Sequence, residues 1–203
     1  MPTAYRRWLA ATALAYALLH HLGLLPSGLG PAPRDTQWVD WLDLLVPWLV
    51  LVPAALTLRA AQPPTRTWVV FGAGVVAYAS GHGIHLAANS VGNAAPGPTE
   101  HLWDEVVGHH LWYLGVALVV AALADTMTGR PRPGPVGYLL ALAVGLTWAS
   151  NAVGGGTVVM SLVLAAAGTA YGWTRRRELG VVLLVAGLPA VAILVAELAK
   201  GTT

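Results

Sequence analysis

The sequence contains no cysteine, and this absence excludes several classes of function at once. Without thiols the chain has no disulfide, no thiolate metal site and no cysteine nucleophile. Methionine is also scarce, with three residues in 203, which argues against a site for Cu(I), an ion that prefers sulfur ligands. Any metal or catalytic chemistry must therefore come from histidines, carboxylates, hydroxyls and amides.

Charge is the second shortage, because only 10% of the residues are charged, against about 25% in a typical soluble domain. So few charges cannot cover the surface of a water-soluble globule of this size, whereas 56% of the chain is hydrophobic. The apolar residues form runs of about 18 to 25, the length that crosses a hydrocarbon core about 30 Å thick. The sequence predicts an all-α polytopic membrane bundle, with residues 1–203 as a single transmembrane domain.

Short segments rich in proline, glycine and arginine separate the apolar runs and predict about seven transmembrane helices. Pro47 and Pro189 are expected to kink the second and seventh helices, because proline cannot donate the helical hydrogen bond. The three glycines from Gly154 to Gly156 are predicted to separate the fifth helix from the sixth. The predicted helices are 4–25, 37–60, 66–92, 100–126, 135–152, 156–174 and 179–199.

The basic residues indicate an orientation in the cell membrane. Two of the eleven, Arg34 and Lys200, fall on one side of the predicted bundle. The other nine share the opposite side: Arg6, Arg7, Arg59, Arg66, Arg130, Arg132, Arg175, Arg176 and Arg177. The positive-inside rule then predicts a cytoplasmic N-terminus and an extracytoplasmic C-terminus. Because these arginines sit in short loops between spans, we expect a lipid bilayer and no nucleic acid as partner.

All the histidines and most of the carboxylates fall near the outer ends of the predicted helices. The motifs SGHGIHLAANS and HLWDEVVGHHLWYLG, on the third and fourth helices, carry most of them. The histidines are His20, His21, His82, His85, His101, His109 and His110, and the neighbouring carboxylates are Asp40, Asp43, Asp104 and Glu105. This concentration makes the outer half of the bundle the candidate functional region.

Helical spacing narrows the candidates. The residues that share one face are His82, His85 and Asn89 on the third helix, and His101, Asp104, Glu105 and His109 on the fourth. Antiparallel packing is expected to bring His82 level with His109 and His85 level with Glu105. Ionisable groups about 10 Å inside a membrane cost several kcal/mol unless they pair or line a wet cavity. The sequence therefore predicts that four deep side chains converge within about 6 Å of one another, as a shared ion requires: His82, His85, Glu105 and His109.

Imidazole and carboxylate together are ligands for a divalent transition metal, with Zn²⁺ as the first candidate and Fe or Cu as alternatives. The predicted metal ligands are His82, His85, His101, His109 and His110, with His20, His21, Asp40 and Asp43 as shallower candidates. Glu105 or Asp104 is predicted to act as general base or to orient a ligand. Ser80 is expected to polarise a substrate, and Asn89 and Asn151 to contact a bound cofactor or substrate.

Four functions remain open at this stage. A zinc hydrolase would use metal-activated water on a lipid or other amphiphile, and a dinuclear iron or copper oxidoreductase would use more of the histidines. A b-type haem electron carrier linked to quinol would need one histidine from each of two helices. A metal or proton transporter is the fourth, although transporter sites usually lie near the midplane. A structural polar network is the non-functional alternative, and the sequence leaves the oligomeric state open.

Overall fold

The computed structural model describes residues 3–33 and 36–201, so Arg34 lies outside the described residues. These residues form a helical bundle in which a π-helical segment, Leu102–Gly108, leads into the sixth α-helix. The α-helices are α1 (Thr3–Leu19), α2 (Trp38–Asp43), α3 (Val46–Ala61), α4 (Thr65–Ala94), α5 (Pro98–His101), α6 (His109–Met127), α7 (Pro135–Gly154), α8 (Val158–Thr174) and α9 (Val181–Lys200). Each of the seven predicted helices corresponds to one helical region.

Among the described residues, five helical regions are long and apolar enough to cross a membrane: Trp38–Ala61, Thr65–Ala94, Pro98–Met127, Pro135–Gly154 and Val181–Lys200. The other two, α1 and α8, have 17 residues each. Many large apolar side chains are exposed on the surface of the bundle, as contact with hydrocarbon requires. The predicted class, an all-α polytopic membrane bundle, is confirmed.

Two boundaries differ from the prediction. The first helix ends at Leu19, six residues before the predicted end, and short 3-10 turns follow. Leu25 is extended, with φ −68° and ψ 135°, because a residue that precedes a proline is disfavoured in the helical region. The second region is divided at Leu44 and Leu45, just before Pro47 in the first turn of α3. At Pro189, by contrast, α9 continues without a break.

Glycines allow helices α4 and α6 to pack closely. A Cβ atom added at Gly81 would lie 2.2 Å from the Trp112 backbone nitrogen, and one added at Gly115 would lie 2.1 Å from that of Tyr78. The two backbones are therefore in direct contact, as small residues permit in membrane bundles. Gly108 in turn lies against the backbone of His85. His85 is therefore level with Gly108, three residues after Glu105, with which it was expected to align.

The bundle has two chemically distinct ends. We call the end that holds the described histidines the histidine end, and the opposite end, with the loops after α3, α6 and α8, the arginine end. At the arginine end the Arg130 guanidinium lies 3.9 Å from the centre of the Tyr5 ring, and Gly129 N–H donates to Glu178 Oε2 at 2.8 Å. These contacts fix loops, whereas the histidine end contains the buried histidines His82 and His109 and the buried carboxylates Asp40 and Asp104.

Candidate metal centre

Three side chains at the histidine end form a compact group. His85 comes from α4, Asp104 from the π-helical segment and His109 from the first turn of α6. One ligand atom from each lies within 4.8 Å of the other two. His85 Nδ1 contacts Asp104 Oδ1, and the His85 and His109 rings are 4.4 Å apart between centroids. Because Asp104 and His109 are 5% and 7% exposed, this group is a buried donor set that can hold a metal ion.

The π-helical segment explains why Asp104 belongs to this group. In an α-helix, residues 104 and 109 would be about 140° apart, since successive residues are separated by about 100°. Here the His109 backbone N–H reaches the carbonyl of Asp104, five residues earlier, which is the π-helical pattern. The wider turn brings the two side chains onto one face. Spacing on an ideal α-helix placed Asp104 and His109 only at the two edges of a wide polar face, about 140° apart.

Glu105 lies beside the group rather than inside it. Its Oε2 atom is 3.3 Å from His109 Nδ1, and its side chain is 39% exposed. The approach is too oblique for a hydrogen bond, so His109 Nδ1 is buried without a hydrogen-bond partner among the described residues. An unpaired buried polar atom costs about 1–3 kcal/mol, so it calls for an ion or a water as its explanation.

His82, although predicted as a ligand, has another partner because of Pro47. In a continuous helix the Asp43 carbonyl would accept from the N–H of residue 47, which proline lacks. His82 Nε2 occupies this position instead, 3.1 Å from the Asp43 carbonyl oxygen and 3.4 Å from Asp43 Oδ1. A carbonyl only accepts, so Nε2 carries the proton. In a neutral ring the other nitrogen, Nδ1, then has a free lone pair, and it is buried without a hydrogen-bond partner in the described structure.

The Trp112 ring lies among the rings of four histidines, and its place there was not predicted from the sequence. Its indole is 4.7 Å from the His82 ring, 5.5 Å from His85 and 5.7 Å from His109, measured between centroids. It also stacks on His20 at 5.4 Å. The sequence could have indicated this place, because Trp112 follows His109 by three residues and so lies on the same helix face. Trp112 thus separates the compact group from the rest of the bundle with a large apolar surface.

The shallower predicted ligands have structural partners. His20 Nδ1–H donates to the Tyr16 carbonyl at 3.0 Å, and its Nε2 accepts from the Tyr78 hydroxyl at 2.7 Å. His21 Nε2 is 3.1 Å from Thr147 Oγ1. Asp40 Oδ2 accepts from Gln37 N–H at 2.9 Å and so caps the first turn of α2. The structure does not bring these residues into the compact group.

The remaining predicted residues lie around the group. His101 is exposed on α5, and the exposed His110 donates through Nδ1–H to the Val106 carbonyl at 2.7 Å. Ser80 is exposed on α4, and Asn89 is half-buried two turns nearer the end of that helix. None of these four belongs to the compact group among the described residues.

Two buried donors lie where α6 faces α7. The Tyr113 hydroxyl and the Asn151 amide nitrogen are both buried without a partner among the described residues. Tyr113 follows His109 by one turn, and its ring is 4.9 Å from that of Trp148. Asn151 lies between Trp148 and Gly155 on the α7 face that meets α6. The predicted role of Asn151 stays a prediction.

The Gly155 backbone presses against His109 and fixes its ring. A Cβ added there would lie 2.7 Å from His109 Cδ2, whereas one added at Gly154 would meet nothing within 4 Å. We expect Gly155→Ala to push the ring aside and to weaken metal binding by about 10- to 100-fold, the usual effect of disturbing a ligand's support. Gly154→Ala is the matched control and should bind as the native chain does. Metal titration of the two variants measures the difference; equal affinities would mean that Gly155 does not position His109.

The fold and the compact group together define a helical membrane protein with a candidate metal centre of two histidines and one aspartate. Comparison of the chain with protein-family models, with curated proteins and with solved structures finds no match.

Proposed function

We propose that this protein is a metal-dependent membrane enzyme in which His85, Asp104 and His109 bind one divalent ion, with Zn²⁺ as the first choice. The observation that carries the proposal is the approach of the three ligand atoms to within 4.8 Å of one another. Two imidazoles and one carboxylate are the ligand set of hydrolytic zinc enzymes that keep a fourth position for water or substrate. An ion held in this way polarises a carbonyl or phosphoryl oxygen and activates water.

Neighbouring residues supply the other functions that hydrolysis needs. Glu105 is partly exposed and 3.3 Å from His109, so it is placed to accept a proton from an attacking water. Tyr113 and Asn151 offer two unpaired donors for an acceptor oxygen of the substrate. Because the site lies among membrane-spanning helices, the proposed substrate is a lipid or another amphiphile.

An oxidative function is the second candidate, and the same observation favours it. Two histidines and one carboxylate also form the ligand set of non-haem Fe(II) oxygenases. A haem between His85 and His109 fits the geometry less well, because rings whose centroids are 4.4 Å apart leave no room for a porphyrin between them. The identity of the metal separates hydrolysis from oxidation.

We further propose that the histidine end faces the extracytoplasmic side of the cell membrane. The nine arginines of the opposite end support this, because short basic loops are retained in the cytoplasm. Reporter fusions at the two termini test it: the N-terminal reporter should respond from the cytoplasm and the C-terminal one from outside. Reporters that respond from the same side would require an even number of crossings and would overturn the proposed topology.

Activity in a defined bilayer tests the enzyme proposal. The full chain in nanodiscs would be stripped with a chelator, reloaded with Zn²⁺ or Fe²⁺, and incubated with ester, amide and phosphodiester amphiphiles. We expect turnover of one class that depends on the metal and is lost in Asp104→Asn, which keeps the shape of the side chain but removes its charge. Turnover that survives both stripping and this substitution would refute the assignment of the centre.

A further inference from the structure

A second feature of the bundle, an apolar cavity of about 290 Å³, lies between α1, α6 and α7 with α4 and α9 beside it. Most of its lining residues are leucine, valine and alanine. Along α1 it extends from Arg6 to Tyr16, which corresponds to about 15 Å at 1.5 Å per residue. The cavity is therefore elongated roughly along the helices and too apolar to hold ordered water.

The end of the cavity that is nearer the histidine end lies one helical turn away from His20, His82 and Trp112. Tyr16, Tyr78 and Val116 line this end. One turn further along the same three helices come His20, His82 and Trp112. The Tyr78 hydroxyl already reaches His20, and the Tyr78 and His82 rings are 6.3 Å apart between centroids. The apolar cavity and the polar cluster thus follow each other along the bundle.

The polar groups between the cavity and the metal centre determine which hydrogen-bonding atoms a ligand needs. Tyr78 and His20 satisfy each other, but His82 Nδ1 is a buried acceptor without a donor, on a residue that is 1% exposed. Its other nitrogen is committed to the Asp43 carbonyl. A ligand that passes this point would stabilise His82 by donating a hydrogen bond from a hydroxyl or an N–H. A ligand with only acceptor atoms would leave Nδ1 unpaired.

We propose that this cavity binds the hydrocarbon chain of a single-chain amphiphile, whose hydroxyl or N–H beside the chain donates to His82 Nδ1 and whose head group extends towards the metal centre. This inference rests on the proposed function and names its substrate class. The cavity extends about 15 Å along α1, and its volume of about 290 Å³ suits one hydrocarbon chain. Tyr78 lines the end of the cavity, and His85 of the metal centre is about 10 Å further along α4. A bond that reacts at the metal centre therefore lies about 10 Å beyond the hydrocarbon chain, in an extended head group.

Photolabelling tests the cavity independently of any catalysis. The probe is a long-chain alcohol with a diazirine at its terminal carbon, added to the full chain in nanodiscs, and the labelled residues are located by peptide mass spectrometry. We expect adducts on cavity residues near the arginine end, such as Leu9, Leu123 and Leu140. Labelling should persist in the chelator-stripped protein and in Asp104→Asn, so a failure of the metal proposal would not hide a correct chain site.

Two substitutions make the test specific. Ala13→Phe places a ring in the cavity and should reduce labelling at least tenfold, whereas Ala166→Phe on an exposed position of α8 outside the lining should not. The unlabelled parent alcohol should compete at least tenfold better than its methyl ether, which cannot donate to His82. If Ala13→Phe unfolds the protein, the competition between the alcohol and its methyl ether still tests the proposal. Adducts confined to lipid-facing residues, equal labelling of Ala13→Phe and Ala166→Phe, or equal competition would each overturn the proposal.

Discussion

His85→Leu and His109→Leu should each yield a folded protein that has lost its bound metal. Leucine supplies no lone pair, so each substitution removes one of only three ligands. Disturbing a residue that merely orients a ligand costs about 10- to 100-fold in affinity, and removing the ligand itself should cost more. A buried polar group can often be replaced by an apolar one of similar volume with little loss of stability. Metal content per chain, measured together with thermal unfolding, checks the two expectations.

The chain provides a matched control for these variants. His110 is the next residue after His109 on the same helix, but it is exposed and bonded to the Val106 carbonyl. His110→Leu should therefore keep its metal, and so should Asp40→Asn, which affects only the cap of α2. Unchanged metal content in both His85→Leu and His109→Leu would return these histidines to a structural role.

Gly81→Ala should strongly destabilise the packing of α4 against α6 around the site. The added methyl group would lie 2.2 Å from the Trp112 backbone nitrogen, and a backbone atom cannot move aside as a flexible side chain can. The two helices must separate, at a cost of about 1–3 kcal/mol or more for overpacking. For a chain of this length, that loss corresponds to a melting temperature lower by roughly 2–12 °C. Metal affinity should fall as well, because Trp112 packs against both ligand histidines.

Gly83→Ala is the control, because a Cβ there would meet nothing within 4 Å. Alanine is favoured over glycine inside a helix by about 1 kcal/mol, so this variant should be as stable as the native chain or more so. The two substitutions are the same chemical change two residues apart, and they are predicted to have opposite signs. A melting temperature of Gly81→Ala equal to that of Gly83→Ala would show that α4 and α6 do not touch as closely as described.

Hydropathy and loop chemistry were enough to predict most of the fold. The apolar runs and their breaks predicted the helical regions, because a membrane span needs a fixed length and its backbone must bond internally. The early end of α1 depends on local backbone preferences around Gly23 and Pro26, which the apolar run obscures. The division at Leu44 and Leu45 was expected only as a kink at Pro47.

The site was predictable in its location but not in its composition. Spacing on an ideal helix drew attention to His85 and His109, and the structure does bring them together. It favoured Glu105 over Asp104, because the π-helical segment that turns Asp104 inward has no recognisable sequence signal. His82 has the spacing of a ligand, yet the missing N–H of Pro47, a residue on another helix, gives it a different hydrogen bond. Such contacts between distant segments depend on tertiary structure, which periodicity does not report.

X-ray absorption spectroscopy of the purified full chain, with metal counted per protein, tests the central claim most directly. We predict about one divalent ion per chain, bound by two imidazole nitrogens and carboxylate oxygen at about 2.0–2.2 Å, with one imidazole missing in any ion retained by His109→Leu. A protein that binds no ion after loading with Zn²⁺, Fe²⁺ or Cu²⁺, or an ion surrounded by oxygen alone, would contradict the assignment of His85, Asp104 and His109 as a metal centre.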